Sequence, residues 1–143
     1  RSTEAVDKLI SVIERSDYQD ERLAATMSLG FIGDDRSIPI LNELLADEEP
    51  NIRWDAAIAL AKMGEISSAP IIENLMDRNY LTTFPELDPK EVNKVILTAI
   101  ETSSLMKYDR FEPKLVLLAE SDENLKVRDA AIKMLKKSYN RII

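Results

Sequence analysis

The side chains here that could do chemistry are mainly carboxylates, because the chain has 26 Asp and Glu in 143 residues but no histidine and no cysteine. They gather in three clusters, Asp34-Asp35, Asp47-Glu48-Glu49, and Glu120 with Asp122 and Glu123. Grouped carboxylates hold Mg²⁺ or Ca²⁺ or exchange protons with a substrate. None of these clusters has the alternating oxygen ligands and central glycine of a calcium loop, and acidic residues ahead of a helix are favoured by its dipole. Structural and solvating roles come first for them. The missing His and Cys also exclude disulfides, zinc sites of Cys/His type, haem ligation by either residue and every Ser/His or Cys/His nucleophile. The chain therefore reads as non-enzymatic, with no catalytic residue, metal or cofactor expected.

Net charge narrows the partners. At −7 the chain lacks the basic stripe that nucleic-acid phosphates require. Residues 1–40 carry 5 positive and 8 negative side chains, residues 41–90 carry 4 and 10, and residues 91–143 carry 10 and 8. A protein partner with a basic surface would be steered toward the first two thirds. No apolar run approaches the length of a bilayer span, so no direct membrane insertion is expected. The sequence begins at Arg1 without a leader pattern, which leaves an upstream signal or anchor open and the compartment unassigned, cytoplasmic by default.

The elements that position these residues come from an internal repeat. A shift of 31 pairs Arg22/Arg53, Ala25/Ala56, Leu29/Leu60, Gly33/Gly64, Ser37/Ser68, Pro39/Pro70, Ile40/Ile71 and Leu44/Leu75, eight identities in 24 positions. Unrelated segments would give about one or two. Each copy predicts two helices. In the first, Ala25, Leu29 and Ile32, and then Ala56, Leu60 and Met63, make a buried stripe whose alanines allow close approach. Gly33 and Gly64 stand where a left-handed C-cap is needed, and Pro39 and Pro70 where a second helix begins. A third copy carries three added residues and is preceded by a longer insertion.

The pattern predicts one domain over 1–143, with a half repeat at 1–16, repeats at about 17–47, 48–78 and 88–121, an insertion at 79–88 and a closing half repeat at 122–143. Half units at both ends fit a segment of a longer solenoid or cover by a partner domain. Leu135, Tyr139, Ile142 and Ile143 leave an apolar face suited to end-to-end self-association.

Ile52-Arg53, Ala56-Ala57, Leu60, Gly64, Pro70 and Ile72, together with Val127, Arg128, Ala131 and Leu135, resemble the HEAT-repeat family in its short bacterial and archaeal, PBS-lyase-type form. The resemblance implies an all-α fold, a right-handed α-solenoid of antiparallel helix pairs with about eight helices. It also implies a ladder in which an Asp of the inter-repeat turn pairs with the Arg six residues later, as Asp47/Arg53 and Asp122/Arg128 are spaced. Ser16 and Asn93 depart from that pattern, so the ladder is expected to break around the third copy. The family's functions are diverse. A bilin lyase-like or other cofactor-handling role is the alternative that the resemblance leaves, whereas the family's di-iron hydroxylase chemistry needs histidine.

HEAT-like stacks bind partners through their second helices, which points to Asn42, Glu43, Glu73 and Asn74. Val116 and Leu117, apolar where other copies are polar, are an exposed patch or are covered by the adjacent insertion, and the cost of exposing apolar surface favours covering. The insertion carries Tyr80 and Phe84, aromatics suited either to pin the loop or to anchor a partner. Trp54 replaces Leu23 and Asp129 of other copies, so at least half exposure is expected, as a hot spot or as a groove filler. Lys133, Lys137 and Arg141 line one face of the last helix beside Lys136, as its dipole favours.

Overall fold

Helical spacing of apolar residues produces helices throughout the computed structural model, which describes residues 2–143. Nine α-helices occur among the described residues: α1 Ser2–Arg15, α2 Gln19–Ile32, α3 Ile38–Leu44, α4 Pro50–Lys62, α5 Ala69–Leu75, α6 Arg78–Leu81, α7 Pro89–Ser103, α8 Phe111–Ser121 and α9 Leu125–Tyr139. The number exceeds eight because the insertion forms a short helix of its own, α6. The chain is an all-helical repeat, with α2 and α3, α4 and α5, and α7 and α8 as its successive pairs.

Local chemistry sets the joints. Gly33 takes φ 67° at the end of α2 and its N–H reaches the Leu29 carbonyl at 3.0 Å. A 3₁₀ turn, Asp35–Ser37, follows, and the buried Ser37 hydroxyl donates to the Asp34 carbonyl at 2.6 Å. The second copy repeats the joint, with Gly64 at φ 77° and Ser68 donating to Glu65 at 2.8 Å. These bonds account for the Ser37/Ser68 identity. Pro39 and Pro70 fall in the first turns of α3 and α5, where no donor is needed. At α7 the Asp88 carboxylate accepts the Glu91 N–H at 2.8 Å and the Glu91 carboxylate accepts the Asp88 N–H at 3.0 Å, a reciprocal cap that ends the insertion.

Two compact units result, Arg1–Ile71 and Ile72–Ile143. In the first, α2 packs on α1 and α4, and α3 packs on α4, around Val6, Leu29, Leu41, Ile52 and Leu60. A Cβ on Gly30 would stand 2.8 Å from the Ala59 Cβ, so α2 and α4 are as close as a glycine permits. In the second unit α9 packs on α7 and α8, with Ile96, Phe111, Leu115, Val127 and Leu135 buried.

Trp54 corrects an expectation: it is 5% exposed, not half exposed. Helix α4 buries Ile52, Trp54, Ala56, Ala57, Ala59, Leu60 and Ala61, so it has almost no outward stripe. Exposure inferred from less buried helices, at Leu23 and Asp129, does not transfer to it.

Candidate interaction surfaces

Each unit carries an arginine that grips a largely buried turn aspartate with two nitrogens, apart from the more exposed Arg36–Asp34 pair of the first. In the first, Arg22 Nη1 reaches Asp47 Oδ2 at 3.3 Å, Nη2 bonds Oδ1, and Nε donates to the Ile13 carbonyl at 3.1 Å. Burial disfavours the Asp47 carboxylate, but the Arg22 hydrogen bonds, the Glu49 N–H and the charges of Arg22 and Arg53 outweigh it and hold the carboxyl below its ordinary pKa. In the second unit Arg78 does the same work. Its Nε and Nη2 reach Asp122 Oδ1 and Oδ2 at 3.0 and 2.9 Å, and Nη2 also donates to Asn93 Oδ1 at 2.8 Å. Burial again opposes ionisation of Asp122, and Arg78, the Asn124 N–H and Arg128 again outweigh it.

Two corrections follow for the ladder. Arg53 donates to the Asp47 and Glu48 carbonyls at 2.8 and 3.3 Å, not to the Asp47 carboxylate. Arg128 makes no hydrogen bond to Asp122, and its Nε is buried without a partner. Each carboxylate is already occupied, by Arg22 and the Glu49 N–H at Asp47 and by Arg78 and the Asn124 N–H at Asp122. Nor does the link break at Asn93, because Arg78 reaches it from the start of α6.

Net negative charge concentrates in the first unit. It holds 7 Lys and Arg against 14 Asp and Glu, a net −7, whereas the second holds 12 against 12 and is neutral. On α2, Phe31 is 93% exposed and Met27, one turn earlier, 58%. They border a cleft of about 160 Å³ with Gly30 on α2 and Asp55, Ile58, Ala59 and Lys62 on α4. Asp55 has no hydrogen bond or ion pair among the described residues, and desolvation raises its pKa despite the charge of Lys62. The repeat overlay holds the signal for this site, since Phe31 stands where the second copy has Lys62. The second-helix expectation had directed attention to the other face.

On that other face, Glu43 lines a depression of about 560 Å³ with Glu14, Glu48 and the Arg22–Asp47 pair. Glu14, Glu43 and Glu48 are exposed and form no ion pair among the described residues. Asn42 is half-buried and donates to the Ile38 carbonyl at 3.2 Å. In the second unit, Glu73 is half-buried beside Tyr108 and Arg110, at 3.5 and 3.8 Å, while Asn74 is exposed. Tyr80 and Phe84 are half-buried and meet edge to face at 5.2 Å, and Tyr108 meets the buried Phe111 in the same way at 5.0 Å. The insertion does not cover Leu117, which is 60% exposed, though Val116 is half-buried. Leu117 borders a shallow cleft with Arg78 and Asn79 at the start of α6, which leaves its side chain largely open to water. On α9, Lys133 bridges Asp129 at 2.9 Å, and Arg141 reaches Glu112 at 3.1 Å.

No helix among the described residues is long and apolar enough to cross a membrane. Comparison with curated proteins gives no match. The profile of HEAT repeats matches residues 6–83, which is more than half of the chain and covers the two regular copies. With its paired helices, repeated glycine–serine joints and 31-residue period, this chain belongs to the HEAT-repeat family.

Proposed function

We propose that this protein is a non-enzymatic protein-interaction module whose first unit meets the partner. HEAT repeats commonly mediate protein–protein interaction. The observation that carries the reading is Phe31, a phenylalanine almost wholly in water beside an exposed Met27. Exposed apolar side chains at a cleft are the usual anchors of an interface, and aromatics bury large areas at low conformational cost. The net −7 of the same unit steers a basic partner toward it.

Affinity capture from the source cells, with the chain as bait, tests this. Phe31→Ser should lose a specific partner while Leu117→Ser on the second unit retains it. Raising the salt should slow association with the wild type. Equal capture by wild type and Phe31→Ser would overturn the reading.

A further inference from the structure

The cleft beside Phe31 is too small for a cofactor. Pockets that enclose small molecules run to about 300–1,000 Å³, whereas this one has about 160 Å³, room for one long side chain. Its walls differ in chemistry. Met27, Phe31 and Ile58 are apolar, and Asp55 is a half-buried carboxylate with neither hydrogen bond nor ion pair among the described residues. Lys62 borders the same cleft and its charge acts on Asp55, but the two form no ion pair, so the carboxylate lacks a direct partner. A carboxylate held partly out of water wants a cation that brings its own hydrogen-bond donors. An exposed aromatic face next to it favours a flat cation on an apolar stem.

We infer that the α2–α4 cleft is the receptor for a single arginine side chain of the partner protein, its stem against Met27 and Phe31 and its guanidinium on the Asp55 carboxylate. The inference rests on the interaction reading above and adds the chemistry of the anchor. Arginine fits better than lysine because its planar fork stacks on a ring and meets a carboxylate with two bonds at once. Charge complementarity supports that occupant over an acidic or purely apolar one, since the whole net charge of −7 lies on this unit. Desolvation raises the pKa of Asp55 and the charge of Lys62 offsets this only in part, which agrees with that need.

The test is an NMR titration of the whole chain, labelled at methionine methyls, with a blocked Leu-Arg-Leu peptide and its neutral isostere carrying citrulline. The Met27 methyl should move saturably, with citrulline binding at least about fivefold more weakly, the scale of one charge-assisted contact at a part-exposed site. Asp55→Asn should keep the fold and abolish the preference, and Lys62→Gln should strengthen arginine binding. Equal binding of the two peptides, or no movement at Met27, overturns the inference. If Phe31→Ser still abolishes partner capture in that case, the interaction reading stands without the arginine anchor. If capture is also unchanged, both fall.

Discussion

Arg22 and Arg78 perform the same task in the two units from different origins. Arg22 sits in the first helix of a regular copy and reaches the aspartate of the following turn, 25 residues on. Arg78 belongs to no first helix. It opens the inserted α6 and reaches Asp122 across 44 residues, holding Asn93 on the way, where the repeat has lost its own arginine. What persists between the units is a buried turn carboxylate with a guanidinium on it, and the position that supplies the guanidinium is free to move. The units differ in openness as well: Asp47 and Asp122 have side chains 13% and 3% exposed.

That difference predicts the largest effect. Removing one partner of a buried pair leaves the other charge uncompensated, at about 3–5 kcal/mol, so Asp122→Ala should cost that much and lower the denaturation midpoint followed by circular dichroism. Asp47→Ala, in the wetter site, should cost about 1–3 kcal/mol. Trp54 is the chain's one tryptophan and lies in the first unit, so its fluorescence reads the second change in place. Equal costs would show that the two links are alike in spite of their burial.

Next comes the approach of α2 and α4, which has no counterpart glycine in the second unit. Gly30→Val adds atoms where even a Cβ would be 2.8 Å from Ala59, and overpacking of this kind costs about 1–3 kcal/mol. The shift should appear in Trp54 fluorescence on denaturant unfolding. The joints of these helices, and stripe positions such as Ala25, Leu29, Ala56 and Leu60, were legible in the sequence because they follow from short spacings, whereas Ile32, expected in the same buried stripe, is 39% exposed at the end of α2. Gly33, Ser37 and Pro39 repeat as Gly64, Ser68 and Pro70, and each acts within a few residues of itself. Trp54 was not legible, because a helix buried on nearly all sides carries no period to read. Arg78 was hidden for a different reason: its partner is 44 residues away, and the 31-residue shift sets it against Asp47, a residue of opposite charge. Of the candidate surface residues, Glu43, Asn74 and Leu117 are exposed, but Phe31 was missed, although its mismatch with Lys62 was visible in the overlay.

Acid separates the aspartates by sign. Asp47 and Asp122 have folded pKa values below that of an unfolded aspartate, about 3.9, so their contribution is present above that value and lost as pH falls through the folded ones. Asp55 runs the other way. Its folded pKa is raised by desolvation, so it costs stability as pH rises through the unfolded value toward the folded one. Asp55→Asn should therefore raise the melting temperature at pH 7 and lose that advantage below about pH 4. Asp47→Asn should lower it at pH 7 and converge with wild type in acid. Melting curves at both pH values check the crossing, and parallel curves would remove the assigned signs.

The smallest effect belongs to Arg128, the arginine that the six-residue spacing had paired with Asp122. The Asp122 carboxylate is already taken by Arg78, and the Arg128 Nε is buried with no acceptor. That Nε gives up water without gaining a bond, so beyond its charge near Asp122 the residue stabilises α9 mainly through its apolar stem. Arg128→Met keeps a stem of similar length and removes the unsatisfied donor. Its cost should stay within about 1 kcal/mol of zero in either direction, because replacing an unpaired buried polar group by an apolar one is close to neutral. Arg78→Met, by contrast, strands Asp122 and should approach the cost of losing the pair. If denaturation midpoints place the two methionine variants together, Arg128 holds the Asp122 turn after all and the comparison between the units has to be drawn again.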